Sequence, residues 1–380
     1  MDTPLRQSSR VMAADSARMR EVHRAVVRLR GGAPVVLAGA ESWLLVAAET
    51  ADEAGLDQAA QLGFADPLLL VGRGRARGLH AEPWAGDISA FALPSALVTP
   101  DQLRRLADPV LDQLFSASPV PIATPSDAEP AIGLLKLARL LPAALVARLS
   151  PAALAQAVEL DLIRVSAASI ASYPEAAATH LVRIAEASVP LDFAPYSRIV
   201  AFRVPDIGTE HLAILVGRPE IDAPELPPPL ARIHSECFTG DLIGSLRCDC
   251  GAQLRGAIRR MGDEGRGVLL YLAQEGRGIG LVNKLRAYTL QDRGLDTFDA
   301  NHALGWAADE RNFLVAATML KQLGIPRVRL LTNNPDKIAA LTACGIEVSA
   351  RESHSFAPNG INDDYLATKA TRFGHLFDLS

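Results

Sequence analysis

Arg232-Ile-His-Ser-Glu-Cys-Phe-Thr-Gly-Asp-Leu-Ile-Gly-Ser-Leu-Arg-Cys-Asp-Cys-Gly251 decides how the second half of this chain folds. Ala231 to Ser235 reads as a short strand. A polar loop then carries Cys237, Cys248 and Cys250, and Gly251 to Met261 has the pattern of a helix. Val268-Leu-Leu-Tyr-Leu272 follows as a buried strand. Strand, loop, helix and strand in that order imply an α/β domain. The spacing Cys-x10-Cys-x-Cys gathers three of the chain's 4 cysteines. Thiolates are soft ligands, and this cluster suits zinc. A structural zinc usually has four protein ligands, whereas a catalytic one keeps three and leaves a position for water. His234 would complete a structural site, but the polar neighbours Arg232, Ser235, Glu236 and Asp241 exceed what such a site requires. The remaining Cys344, in Leu341-Thr-Ala-Cys-Gly345, reads as a core thiol.

Outward from this stretch the alternation continues. Residues 198–203, 211–216 and 328–331 read as strands. Residues 283–290, 311–323 and 335–341 read as helices, and Ala223 to Pro229 as a loop. On the N-terminal side a helix is expected over 16–29, ended by Gly31-Gly32. Strands are expected at 34–38, 43–48 and 67–71, with a helix over 57–62. Ser116 to Pro130 has loop composition, and 131–149 is Ala- and Leu-rich in a helical manner. The composition shift near 180–195 marks a domain boundary. Two α/β domains are therefore expected, which 380 residues accommodate.

A formal charge of −5 argues against a nucleic-acid binder. The first residues lack the apolar core of a signal peptide, and no apolar run is long enough to cross a bilayer. Clustered cysteines point to metal ligation in a reducing compartment, and hence to a cytoplasmic protein with no membrane partner.

Three further segments carry ligand chemistry. Gln274-Glu-Gly-Arg-Gly-Ile-Gly280 follows a strand and precedes a helix. It is not a dinucleotide fingerprint, because Leu281 stands where the third glycine belongs. Its glycines permit close backbone approach, Arg277 suits a phosphate, and Glu275 suits a base edge or cation. Ala308-Asp-Glu-Arg-Asn312 opens a helix with Asp309 as N-cap. Arg311 then meets the positive end of the helix dipole, a conflict that a bound phosphate would remove. Leu331-Thr-Asn-Asn-Pro-Asp-Lys337 places Thr332 at a strand end and Asn334 as cap, with Lys337 as a point charge for phosphate.

Together these runs resemble GTP cyclohydrolase II, the first enzyme of riboflavin synthesis. The matching runs are Arg232 to Cys237, Ser245 to Gly251, Gln274 to Leu281, Asn283 to Asp292, Asp309 to Arg311 and Leu330 to Pro335. The resemblance implies zinc held by Cys237, Cys248 and Cys250. It implies GTP contacts from Arg232, Ile233, His234, Ser235, Glu236, Gln253, Glu275, Gly276, Arg277, Thr297, Thr332 and Lys337. Tyr288, Asp309 and Arg311 match the catalytic positions. Mg2+ is implied on the substrate triphosphate, and a homodimer as the assembly.

Two alternatives are a GTP-binding regulator with a structural zinc, and a paralogue acting on another nucleobase. Leu272-Ala273 and Arg351 to Phe356 depart from the family pattern and keep the second open.

The N-terminal half resembles the start of dihydroxybutanone phosphate synthase. Only Ala38-Gly-Ala-Glu-Ser42 stands where that enzyme's acidic metal loop belongs, and a lone Glu41 does not make a magnesium site. The expected domains are thus a frayed 1–16, a degenerate synthase-like 17–185 and a cyclohydrolase-like 186–380.

Overall fold

A computed structural model describes residues 4–64, 66–79, 86–205, 208–223, 225–356, 359–361, 363 and 372, with side chains from residue 14 onward. The chain begins with α1 (Pro4–Arg30), β1 (Val35–Ala38), β2 (Ser42–Ala47), α2 (Glu53–Gln61), β3 (Leu68–Gly72), α3 (Arg73–Leu79) and β4 (Ile88–Ala92). There follow α4 (Pro100–Ala107), β5 (Val120–Ile122), α5 (Ala128–Leu137), β6 (Ala143–Arg148), α6 (Pro151–Glu159), β7 (Arg164–Ser166) and α7 (Ala167–Thr179). The next elements are β8 (Val182–Ser188), β9 (Ser197–Arg203), β10 (Glu210–Val216), β11 (Leu230–Ser235), α8 (Cys250–Glu264) and β12 (Gly267–Leu272). The last are α9 (Leu281–Asp292), α10 (Thr297–Ala303), α11 (Leu314–Gln322), β13 (Arg327–Leu331), α12 (Pro335–Ala343) and β14 (Glu347–Glu352).

Two compact units result, each α/β. The first holds Met1–Ala176 together with Val282–Ala308; the second holds Ala177–Leu281 with Asp309–Ser380. The expected linear boundary at 185/186 therefore differs from the packing. Residues 282–308 leave the C-terminal half of the sequence and join the first unit.

In the first unit seven strands run in the order β5-β4-β3-β6-β2-β1-β7. All neighbours are antiparallel except β1 and β7. Val22 and Leu29 of α1 and Leu134 and Leu135 of α5 bury against Leu37, Leu45 and Val146 of the sheet. Each such side chain contributes roughly 1.5–3 kcal/mol of transfer free energy. Helix α1 starts at Pro4, so 4–16 is helical where a frayed end was expected. Met, Ala and Arg favour helix, and Pro is tolerated in a first turn. The helix expected over 131–149 splits instead into α5 and β6. Arg139 adopts φ 55 and Pro142 follows, so the helix cannot continue. Ala143 to Ala147 are then buried as a central strand. The loop expected over 116–130 contains the short edge strand β5.

Two close approaches fix α10 on α3. A Cβ at Gly74 would stand 1.8 Å from the His302 carbonyl oxygen, and one at Gly72 would stand 2.8 Å from that of Gly305. Helix α9 is tied by charge. The Arg286 guanidinium donates to Asp108 Oδ2 at 2.8 Å and to Asn283 Oδ1 at 2.8 Å, and pairs with Glu49 Oε1 at 2.8 Å. Asn283, fully buried, donates to the Arg139 carbonyl at 3.1 Å.

In the second unit the order is β14-β13-β11-β12-β10-β9-β8. Strands β14, β13, β11 and β12 are mutually parallel, and β10, β9 and β8 complete an antiparallel flank. The carboxyl ends of β11, β12 and β13 thus point the same way, and three of the motif loops leave from them. That is where open α/β sheets gather ligands.

Arg286→Ala should destabilise the first unit by about 3–5 kcal/mol, because it leaves the shielded carboxylates of Glu49 and Asp108 without their cation. Urea unfolding checks this. An unchanged midpoint would mean that solvent already screens the pair.

Candidate functional site

Strand β11 delivers Cys237, and a single π-helical turn, Phe238–Leu242, folds the chain back on itself. Cys250 is the first residue of α8. The Sγ atoms of Cys237, Cys248 and Cys250 lie within 4.8 Å of one another, and those of Cys237 and Cys248 are 3.7 Å apart. Tetrahedral zinc with bonds near 2.3 Å sets sulfurs about 3.8 Å apart, so the thiols fit that ion. Gly240 makes the convergence possible. Its amide donates to Cys237 Sγ at 3.3 Å, and a Cβ there would meet Cys248 Sγ at 2.7 Å and Cys250 Cβ at 2.9 Å. Contact with Cys237 pushes the Cys248 thiol up to about 11 and the Cys250 thiol well above its usual range. A dication among the sulfurs reverses that order by favouring thiolates. Among the described residues, no carboxylate or imidazole joins the three sulfurs as a further ligand.

His234 turns elsewhere. It is 3% exposed, and its Nε2 lies 3.1 Å from both oxygens of Asp241. Burial lowers its pKa, opposed by the Asp241 hydrogen bond. Asp241 Oδ2 also accepts from the Cys237 amide at 3.0 Å and the Tyr271 hydroxyl at 3.0 Å. Tyr271 stands opposite His234 in the β11–β12 register, and the rings stack at 5.6 Å. Burial, then the charge of Asp241, raises the Tyr271 phenol.

Arg232 is buried. It donates to the Leu331 carbonyl at 2.9 Å and to Gln253 Oε1, while its Nε has no hydrogen-bond partner. Burial pushes its guanidinium down to about 10, with Asp249 opposing. Gln253 donates onward to Asp249 Oδ2 at 2.5 Å. The Ile233 carbonyl accepts from Lys337 Nζ at 2.8 Å, and Lys337 is itself buried. Ser235 Oγ is buried without a partner, and the Glu236 amide donates to Leu272. Glu275, 4% exposed, accepts from the amides of Phe238 at 2.7 Å and Gly276 at 2.9 Å, so its carboxylate fastens the cysteine turn. Gly276 and Arg277 both take φ 62. That conformation is costly for arginine and keeps the turn tight. Thr332 Oγ1 accepts from the Asn334 amide at 3.0 Å, and Asn334 caps α12 as expected, accepting from Asp336.

Asp309 does not cap a helix. Helix α11 begins at Leu314, and Asp309 lies in the preceding loop. Its Oδ1 accepts from the Arg311 amide at 3.0 Å and Nε at 2.8 Å. The expected conflict between Arg311 and a helix dipole is therefore absent; the loop conformation lets the two side chains pair instead. Burial raises the Asp309 carboxyl, but Arg311 and Arg277 outweigh it and hold it below the carboxylate range. Gln274 and Arg277 bind this loop to the end of β12: Gln274 Nε2 donates to the Asn312 carbonyl at 2.9 Å, and Glu310 N to that of Arg277 at 3.0 Å. Cys344 is half-buried at the end of α12 and is not a core thiol.

The second unit thus gathers the three cysteines with Arg232 to Glu236, Gln253, Glu275 to Arg277, Asp309, Arg311, Thr332 and Lys337. Tyr288 and Thr297 belong to the first unit. Tyr288 is on α9, with Lys284 Nζ 5.8 Å from its ring centroid. Thr297 opens α10, its Oγ1 accepting from Gln291 at 3.1 Å.

Residues 182–353 match the family model for GTP cyclohydrolase II. A GTP cyclohydrolase-2 of Azospirillum brasilense is 48% identical over 379 residues, covering 97% of this chain and 96% of its own. The chain belongs to the GTP cyclohydrolase II family. The GTP cyclohydrolase-2 of Pasteurella multocida is 53% identical over 193 residues, 51% of this chain and 86% of its own. Among solved structures, RibBX, a two-domain 3,4-dihydroxy-2-butanone 4-phosphate synthase from A. baumannii, matches with a TM-score of 0.32 at 17% identity, over 88% of this chain and 99% of its own.

Sequence reasoning gave no place in the network to Tyr271, Asn333 and His354, and it noted Asp241 only as a polar neighbour of the cysteines, not as the hub. His354 sits in the segment that departs from the family pattern. It lies 2.8 Å from the Gln253 carbonyl through Nε2, exchanges two hydrogen bonds with the Asn333 side chain, and meets the Phe356 ring edge-on at 4.9 Å.

Burial pushes the His354 imidazole down to about 4, with the charges of Arg232, Arg260 and His234 adding and the Gln253 hydrogen bond opposing. The folded state therefore favours the neutral ring. Its contribution is fully present above the unfolded value near 6.5 and is lost as pH falls towards 4. The full loss is on the order of 3 kcal/mol. Urea unfolding between pH 7 and 4 should show that decline, and His354→Gln should flatten it. An unchanged slope would assign the decline to other groups.

Proposed function

We propose that the chain is a zinc-dependent GTP cyclohydrolase II. It converts GTP to 2,5-diamino-6-(5-phospho-D-ribosylamino)pyrimidin-4(3H)-one, formate and pyrophosphate, the first step of riboflavin biosynthesis. One observation carries the reading: three thiols converge at zinc spacing, and no further described ligand closes the set. The structural alternative needs His234 as fourth ligand, yet neither of its ring nitrogens is grouped with the three sulfurs, and its Nε2 faces Asp241. Cys237, Cys248 and Cys250 would hold the zinc, which when bound would supply Lewis acidity and activate water near neutral pH.

The protein's own groups then bind and orient. Arg232, Arg277 and Lys337 supply cationic charge for the phosphates, with Mg2+ expected on the triphosphate. Glu236, Gln253 and Thr332 offer polar groups for the nucleoside, and Glu275 holds the turn that carries Cys237. Asp309 and Arg311 act near the leaving pyrophosphate, and Tyr288 serves the ring-opening step. The Asp309–Arg311 pair supports an electrostatic role for Arg311, since a guanidinium is a poor nucleophile while protonated. Exposed Phe238, Leu242, Ile243 and Leu246 offer the apolar surface that a homodimer would cover. In the first unit, Glu41 pairs with Arg148 at 2.6 Å, and Asp127 holds the amides of Ala40 and Glu41. That supports a unit without synthase chemistry of its own.

Zinc-loaded protein given GTP and Mg2+ should release formate and pyrophosphate and form the pyrimidine. Cys248→Ser should lose most zinc and all formate release. Full ring opening without zinc would overturn the proposal.

The two chemical steps separate by mutation. Arg311→Lys should cut pyrophosphate release severely at unchanged zinc content, because lysine lacks the planar fork that grips Asp309. Tyr288→Phe should spare zinc and cost about 10²–10⁴-fold in formate release. Wild-type rates in either variant would remove that residue from the mechanism.

A further inference from the structure

Phe313 is an odd residue for its place. It stands at the N-cap of α11, where a side-chain oxygen is favoured and a phenyl ring has none to offer. The neighbouring Asn312 supplies the acceptor instead, its Oδ1 receiving the Leu314 amide at 3.0 Å. The Phe313 ring meets two cations. The guanidinium carbon of Arg311 lies 5.1 Å from its centroid and Lys337 Nζ lies 5.9 Å from it, both within cation–π range. Each cation is also tied elsewhere. Asp309 holds the Nε and Nη2 edge of the Arg311 fork, and the Ile233 carbonyl accepts from Lys337 Nζ at 2.8 Å. Arg311 Nη1 makes no hydrogen bond with a described group, so its two N–H donors are what the fork still offers an anion.

A third cation stands nearby. Burial lowers the Arg232 guanidinium, Asp249 opposes, and the charge of Arg311 adds to the fall, so Arg311 and Arg232 lie within electrostatic reach of each other. Like charges gathered in this way repel. A carboxylate would offset them but would also compete with an anionic ligand. The face of an aromatic ring is negative yet uncharged, and it attracts cations without neutralising them.

We propose that Phe313 is a positioning residue for the phosphate end of the substrate, its ring fixing Arg311 and Lys337 as a pair whose charge stays available to an anion. This rests on the cyclohydrolase reading above, which assigns both cations to the phosphates. Asp309 grips one edge of the Arg311 fork, and the ring against the guanidinium limits its hinging about that edge. The competing reading is plain packing, since Ala317 and Leu320 on the same face of α11 are fully buried.

Graded fluorination of the ring separates the two in the full-length, zinc-loaded protein. Fluorine withdraws charge from the ring face and changes its shape little. Mono-, di- and trifluorophenylalanine at position 313 should weaken binding of inorganic pyrophosphate, read by calorimetry, in that order. The total loss expected is about 2–30-fold. Pyrophosphate release from GTP should fall in parallel, with zinc content and thermal midpoint unchanged. Phe313→Leu fills the space without a ring and should lose at least as much, whereas Phe313→Tyr should recover most of it. Nitrogen-15 NMR should show a ring-current shift on the Arg311 Nε–H signal that Phe313→Leu removes.

Equal pyrophosphate affinity across the fluorinated series overturns the proposal and leaves Phe313 as a packing residue. So does wild-type affinity in Phe313→Leu, a loss that tracks zinc content or thermal midpoint in place of ring charge, or a wild type that binds no pyrophosphate. If the wild type binds pyrophosphate but releases none from GTP, the cyclohydrolase reading fails instead. The affinity series and the Arg311 signal still decide what Phe313 does to its two cations.

Discussion

Everything at the site follows from the absence of a side chain at Gly240. Three sulfurs from the end of a strand, a loop and the start of a helix meet only because no Cβ stands between them. The convergence pulls the π-helical turn tight, which brings Asp241 back under β11 and β12. Glu275 then reaches the same turn from the end of β12 and accepts the Phe238 amide. Two buried carboxylates thus secure the turn that follows Cys237 against the parallel part of the sheet. Buried carboxylates are costly unless donors surround them. Here the donors are the backbone and side chains that the site needs held still.

The fold of the second unit was largely legible in the sequence, because its strands are short apolar runs bounded by glycine, proline and polar loops. Thr332, Asn334 and Pro335 announced a strand end, a cap and a helix start, and each stands there. The cysteine spacing pointed to the metal cluster for a chemical reason, since little else uses three thiols in fourteen residues. The hub was not legible. Asp241 stands out only as one of several polar neighbours of the cysteines, and Tyr271 looks like one more residue of a buried strand. Their partnership depends on the parallel register that sets His234 opposite Tyr271, which no local pattern encodes.

The first unit was harder for a related reason. Ala- and Leu-rich stretches serve a helix or a doubly covered strand equally well, and only Pro142 separates α5 from β6. Residues 282–308 carry family motifs and read as part of the C-terminal half. Their place in the first unit is decided by long-range contacts: Arg286 with Glu49 and Asp108, and α10 against the glycines of β3 and α3. Glycine at 72 and 74 is informative only once His302 and Gly305 are known to press on it.

At Asp309 and Arg311 the local reading of the sequence and the structure part company. An N-cap aspartate followed by an arginine in the first turn would be an electrostatic misfit, which suggested a phosphate ligand. In the structure no helix begins there, and the arginine is satisfied by its own neighbour. What remains unusual is the tether. Gln274 and Arg277 bind the loop from the end of β12, and Arg277 does so from a left-handed conformation that non-glycine residues avoid. Strain of roughly 1–3 kcal/mol persists only where the surroundings over-determine it. The turn that holds Glu275 against the cysteine loop is the same one that grips the Asp309 loop. Any displacement of that turn moves the cysteine turn and the Asp309 loop together, so the two segments share one support.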